Sequence, residues 1–299
     1  MTSMTRRSLS AFAAAAAVWP GGAFAQETAA ALIARAIPST GERLPAVGLG
    51  TANVFDNDDA RTREAATQVV RALLDGGGRL IDTSSVYGDA ERVLGQAMAA
   101  TGGRERVFLA TKLEAPDPAE LERSLTRLAT RRVDLLQLHN VRDPQQSLAR
   151  FKAWKSLGLC RYTGITSTSH RDFAAIEAVL AREKPDFVQI DYSLDDREAE
   201  ARILPLAAEV HAGVLTALPF GRGRLFRAVR GKPLPDWATG FADSWAQFFL
   251  KYLLGDERVT AVIPGTSDPG HMADNLGAMR GRLPDAEERR RMVVFVQAL

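Results

Sequence analysis

The chain has 299 residues, a formal net charge of +2, 46% hydrophobic and 25% charged residues, and one cysteine, Cys160. Those fractions exclude a disordered chain and one held by internal disulfides. The near-neutral balance argues against a nucleic-acid partner, because basic clusters such as Arg289, Arg290 and Arg291 are short and flanked by acids, as on a solvated helix face.

The first segment reads as a leader. Thr5-Arg6-Arg7-Ser8-Leu9-Ser10 precedes an alanine-rich stretch at 11–18, and Ala23-Phe24-Ala25 fits a small-x-small cleavage site. Paired arginines before a weakly apolar run resemble a twin-arginine export signal, and a general secretory leader is the other reading. The run is short of the roughly 20 residues that a membrane anchor needs. The expected products are a signal peptide at 1–25, a mature N-terminal segment at 26–36 and one domain at 37–299, working outside the bacterial cytoplasm. The export machinery is then a partner, and no stable membrane anchor is expected.

After the leader, short runs rich in Val, Ile and Leu alternate with stretches of helical periodicity. The predicted order is strand 44–50, helix 62–74, strand 79–82, helix 91–101, strand 107–113, helix 118–130, strand 133–139 and helix 144–157. It continues with strand 162–166, helix 172–182, strand 186–192, helix 197–211, strand 214–218, helix 244–254, strand 259–264 and helix 272–279. A further helix at 285–299 ends the chain. Apolar runs of this kind are strands buried on both faces, and their alternation with helices implies parallel strands with right-handed crossovers. Eight such units make an α/β fold of the (β/α)8 TIM-barrel class, with one extra C-terminal helix. About 270 residues remain after the leader, close to the roughly 250 typical of one barrel.

Four polar residues stand where the early strand runs stop: Asp82 and Tyr87 in RLIDTSSVYG, Lys112 in VFLATKL and His139 in VDLLQLHN. At the carboxyl ends of parallel strands they converge on one face, where barrel active sites lie. A buried Asp–Lys pair and a capping Tyr have a purely structural reading one at a time. Four together, in this order, point to a catalytic group.

The same residues carry a family resemblance. Gly48-Leu49-Gly50-Thr51, Asp82 with Tyr87-Gly88, Thr111-Lys112, Leu138-His139, Gly164-Ile165-Thr166, Val188-Gln189 and the stretch from Ile263-Pro264 to Asn275 together resemble the aldo-keto reductases, over about 37–291. The resemblance implies reduction of an aldehyde or ketone with NADPH, with NADH possible. Tyr87 would donate the proton, and Lys112 would stabilise the phenolate left behind. Asp82 would hold Lys112 protonated, and His139 would orient the carbonyl. For the cofactor, the resemblance points to Thr51, to Thr166, Ser167 and Gln189 at the nicotinamide carboxamide, and to Pro219, Gly221 and Gly223 at the pyrophosphate. It also points to Gly265, Thr266, Ser267, His271 and Asn275 at the adenosine end.

Two departures stand out. Ala217 or Leu218 occupies the place of an aromatic that would stack on the nicotinamide, and Gly265 and His271 occupy places of the Lys and Arg that grip a 2'-phosphate. The hydroxyls of Thr266 and Ser267 and the helix start near Pro269 remain as phosphate donors, and selectivity for NADPH over NADH is expected to be weaker than usual. The substrate is a small-molecule carbonyl compound. Phe55, Trp237 and Trp245 are candidates to line an open mouth. Two other classes stay open: a non-catalytic cofactor-binding sensor or partner subunit, and a Schiff-base lyase using Lys112. The four histidines fall in separate units, so no metal cluster is read. Cys160 reads as an ordinary buried thiol.

Overall fold

The computed structural model describes residues 31–114 and 116–299. The leader and export signal expected at 1–25 lie outside the described residues. Two short strands, β1 (Ala34–Ala36) and β2 (Arg43–Pro45), pair antiparallel. Then β3 (Leu49–Gly50) leads to α1 (Ala60–Asp75), β4 (Leu80–Asp82) to α2 (Ala90–Thr101), β5 (Phe108–Leu113) to α3 (Pro118–Arg127), and β6 (Val133–His139) to α4 (Pro144–Ser156). The second half runs β7 (Cys160–Ser167), α5 (Phe173–Glu183), β8 (Phe187–Asp191), α6 (Glu198–Ala201), α7 (Ile203–Glu209), β9 (Gly213–Ala217), α8 (Arg224–Ala228), α9 (Trp245–Leu254), β10 (Val259–Val262) and α10 (Pro269–Gly277), and α11 (Ala286–Gln297) follows.

Strands β3 to β10 pair parallel in chain order. Bridges Val47–Val262 and Gly50–Gly265 join the last strand to the first, so the sheet closes into the expected (β/α)8 barrel. Period-two alternation then sorts every strand. Leu80, Phe108, Leu135, Tyr162, Phe187, Leu215 and Ala261 fill the interior, while Ile81, Leu109, Leu136, Ile165, Val188, Val214 and Val262 pack under the helices. Two positions further along the inward series come Asp82, Gln137 and Gln189, and four positions beyond Phe108 comes Lys112, all buried. The barrel interior is therefore apolar below and polar at its carboxyl end.

The structure departs from the predicted elements at two places. Strand 44–50 divides: its first part pairs with Ala34–Ala36, and Ile37 and Leu44 of that hairpin join the interior cluster at the barrel's amino end. The helix expected at 197–211 breaks at Arg202 (φ −119°, ψ −69°). Pro205 has no N–H to donate back to Ala201, so one continuous helix is interrupted there. Burial pushes the Cys160 thiol up to about 12, so this cysteine stays protonated and unreactive.

Barrel closure depends on close backbone approach at Gly50, where an added Cβ would lie 2.8 Å from the Ile263 carbonyl oxygen. Replacing Gly50 with Ala is expected to destabilise the fold by about 1–3 kcal/mol, because overpacked backbone must shift. Urea denaturation of the chain from Gln26 checks this; an unchanged midpoint would show that closure does not need the glycine.

Candidate active site

The tetrad is assembled by adjacent strands. Asp82 ends β4, Lys112 is the fifth residue of β5, His139 ends β6, and Tyr87 sits in the turn that leads into α2. Lys112 is 1% exposed and Asp82 2%. Burying an ammonium and a carboxylate is costly unless each is paired and hydrogen-bonded. Both conditions are met. Lys112 Nζ donates to Asp82 Oδ2 at 2.5 Å and to the Thr83 carbonyl at 2.8 Å, and Asp82 also accepts from Gln137 Nε2 (3.1 Å) and Gln189 Nε2 (3.3 Å). Burial pulls the Lys112 ammonium toward deprotonation, but the charge of Asp82 and the neighbouring Tyr87 phenol outweigh it, and the net direction is upward. Lys112 thus remains a cation.

The Tyr87 ring lies above this pair, with Lys112 Nζ 5.0 Å from its centroid. Its edge meets His139 at 5.8 Å between ring centres. His139 is lowered to about 4, chiefly by burial and then by the charges of Lys112 and Arg142. The imidazole is neutral at physiological pH and keeps one donor and one acceptor.

Tyr87 and His139 line a cavity of about 400 Å³ at the carboxyl end of the barrel. Thr51, Thr166, Ser167, Gln189, Pro219, Gly223 and Gly265 share its wall with them. Gly221 is buried behind the wall: an added Cβ there would meet Asp195 Oδ1 at 2.6 Å, and its φ is +55°. A second cavity of about 410 Å³ adjoins the first across Phe220 and Gly265, and it holds Thr266, His271 and Asn275. Ser267 is exposed and lines neither.

These walls fit a nicotinamide dinucleotide at one end better than at the other. Gln189 Oε1 is buried with no hydrogen-bond partner while its Nε2 is engaged by Asp82, so an acceptor is held ready for a carboxamide NH₂. Ser167 is less available. Its hydroxyl donates to Asp172 at 2.6 Å and accepts from Ser169 N. Ala217 and Leu218 both face the cavity, so that wall is aliphatic where a stacking aromatic was missing from the sequence.

The helix start near Pro269 is not free for a phosphate. Asp268 caps α10, accepting from Gly270 N (2.7 Å) and His271 N (3.3 Å), and these backbone bonds hold its carboxyl below the usual range. A carboxylate already sits where an anion was expected. Asp274 places another carboxylate on the wall of the second cavity.

Several functional groups escaped the sequence reading. Gln137 supports Asp82, and its signal was its position two residues before His139 on the same strand face. Ser84 Oγ lies 3.2 Å from His139 Nδ1. Arg222 faces the main cavity from within three successive left-handed residues, Gly221 to Gly223, whereas Arg224 is tied to Asp195 at 2.8 Å. Such a turn, with a guanidinium in it, suits a diphosphate. His170 is not isolated: its ring nitrogens approach Asp196 (3.1 Å), Asp191 (3.4 Å) and Glu198 (2.9 Å), which ties the loop after β7 to the loop after β8.

Of the three aromatic mouth candidates, Phe55 and Trp237 are packing residues that line neither cavity, and Trp245 borders the second. Phe55 is fully buried in the core. Trp237 packs on Phe241, Phe248 and Phe295, away from the cavity, where its hydrophobic area is better satisfied. Trp245 stacks on Phe249 and Phe295 and lines the second cavity.

The lowered His139 has a consequence for stability. Between pH 6.5 and about 4 the unfolded chain takes up a proton that folded His139 refuses, so its contribution to stability falls as pH falls through that window. The wild-type chain is expected to lose about 1–2 kcal/mol more than His139→Gln between pH 7 and 4.5. Urea denaturation of both at the two pH values measures it; equal losses would show that His139 is not held neutral.

The model of the aldo/keto reductase family matches residues 46–291. Methylglyoxal reductase YeaE of Escherichia coli is 28% identical over 256 residues, covering 82% of this chain and 88% of its own length. Aldo-keto reductase YhdN of Bacillus subtilis is 30% identical over 209 residues, covering 62% of this chain and 60% of its own. An aldo-keto reductase from Klebsiella pneumoniae, solved in complex with NADPH, superposes with a TM-score of 0.76 at 25% identity, over 89% of this chain and 96% of its own. A second from the same organism, solved with NADP and acetate, gives 0.74 at 26% identity, over 86% and 93%. The chain belongs to the aldo/keto reductase family of oxidoreductases.

Proposed function

We propose that this chain is an exported carbonyl reductase, converting an aldehyde or ketone of modest size to the alcohol with NADPH. The observation that carries this reading is the buried Lys112–Asp82 pair directly beneath the Tyr87 ring, beside a neutral His139. Gln189 and Thr166 would hold the nicotinamide carboxamide, with Arg222 and Gly223 at the diphosphate. When bound, the nicotinamide supplies the hydride.

The remaining steps belong to side chains of this protein. His139 hydrogen-bonds the carbonyl oxygen and fixes its position. Tyr87 releases its phenolic proton to that oxygen as negative charge gathers there. The Lys112 ammonium stabilises the phenolate that remains, and Asp82 keeps Lys112 charged and in place. NADP(H)-bound relatives support the choice of cofactor. The adenosine pocket has Asp274 and no Lys or Arg on its wall, with Asp268 capping the adjoining helix start, which supports weak discrimination against NADH.

Tyr87→Phe is expected to lower kcat/KM for carbonyl reduction by about 10²–10⁴-fold, the usual worth of a positioned proton donor. The same variant should keep wild-type stability and cofactor affinity, and NADPH and NADH should bind within about tenfold of each other, or about 1.4 kcal/mol. Nicotinamide oxidation with methylglyoxal and simple ketones, together with fluorescence titration, measures these quantities. Tight cofactor binding without turnover in the wild type would replace the reductase by a cofactor-binding sensor.

Export is proposed on the leader alone, from Arg6-Arg7 and Ala23-Phe24-Ala25. Replacing both arginines with Lys is expected to retain the full-length chain in the cytoplasm. Fractionation of cells expressing both forms reads this; a processed periplasmic product from the variant would favour a general secretory leader.

A further inference from the structure

His139 can face a substrate oxygen usefully only in one of its two neutral forms. A carbonyl oxygen accepts hydrogen bonds, so the ring nitrogen toward the cavity must carry the hydrogen and the other must be bare. The group on the far nitrogen decides which form is held.

That group is Ser84. Its side chain is 1% exposed, and Oγ lies 3.2 Å from His139 Nδ1. A serine hydroxyl has one hydrogen to give, and two acceptors compete for it. The Lys112 carbonyl is 3.4 Å away and already accepts from Ser85 N at 3.0 Å. His139 Nδ1 is nearer, and no other donor to it is found among the described residues. Ser84 Oγ in turn accepts from Val86 N at 3.5 Å. With the hydroxyl hydrogen given to Nδ1, the nearer acceptor, the bonds would run one way, from the Val86 amide to Ser84 and from Ser84 to His139.

We infer that Ser84 is a positioning residue that donates to His139 Nδ1 and fixes the imidazole in the form whose Nε2–H points to the substrate oxygen. The turn that carries Ser84 also carries Tyr87, three residues on. One short segment therefore supplies the proton donor and orients the second hydrogen bond to the same oxygen. The inference rests on the reductase reading only for the use made of Nε2–H; the state of the ring is a property of the free protein.

The test reads that state directly. Two-bond ¹H–¹⁵N correlation spectra of mature protein labelled in histidine, assigned with His139→Gln, show which ring nitrogen is bonded to hydrogen. The expected result near neutral pH is hydrogen on Nε2 and none on Nδ1. Ser84→Ala should populate the other form and lower kcat by about tenfold or more, since a wrongly held histidine cannot donate where it is needed. KM for the cofactor should not move, and Ser84→Thr, which keeps the hydroxyl, should recover part of kcat. Hydrogen on Nδ1 in the wild type would overturn the inference without any variant. An unchanged ring state and kcat in a folded Ser84→Ala protein would overturn it as well. The expected ring state in a wild-type protein with no carbonyl turnover would leave the inference standing and remove the reductase reading instead.

Discussion

An ammonium that stays charged inside a barrel is the constraint on which the site depends. Lys112 has no contact with bulk water, so its charge must be balanced within a few ångströms. Asp82 does this from the neighbouring strand, and Gln137 and Gln189 reach Asp82 from two further strands. Four of the eight barrel strands are thereby committed. The inward series of residues turns polar at this level because a cation sits at its centre. Removing either partner would leave the other buried and unpaired, which costs about 3–5 kcal/mol in comparable pairs. The structural role and the chemical role of the pair are thus the same electrostatic fact viewed from below and from above.

The same balance shapes the ends of the cofactor groove unequally. At the proposed nicotinamide end, balancing the charge leaves an unused acceptor: Gln189 gives its amide to Asp82 and keeps a buried oxygen free. At the adenosine end the helix start is satisfied internally by Asp268. An internal cap stabilises α10 in the free protein, and it also takes up amides that would otherwise attract a phosphate. Among the residues that line the two cavities, Arg222 is the one Lys or Arg.

Much of this was legible in the residues. Strand order and barrel class followed from apolar runs buried on both faces, and the convergence of Asp82, Tyr87, Lys112 and His139 followed from their places at the strand ends. Side-chain competition was not legible. Asp268 before Pro269 is an N-cap pattern, but its competition with a phosphate shows only in the structure, and nothing in TSTSHRD says that Asp172 will take the Ser167 hydroxyl. Arg222 and His170 were missed for a related reason. Their roles come from backbone turns and from carboxylates one unit later in the chain, which no local pattern encodes. The aromatic candidates failed because Phe55 and Trp237 find larger apolar partners in the core and under α11 than at the mouth. Ser84 drew no reading from the sequence, because only the folded strand ends place it against His139.

The central claim is that the buried Lys112 charge acts on Tyr87 and is more than a brace between strands. Single-turnover reduction of a carbonyl substrate by Lys112→Met, preloaded with saturating cofactor and measured on the folded fraction, tests this most directly. The account predicts a rate lower by about 10²-fold or more, the scale of losing a preorganised charge at the reacting oxygen. A folded variant that is less stable but reduces its substrate at the wild-type rate would contradict it, and would leave the Asp82–Lys112 pair as structure alone.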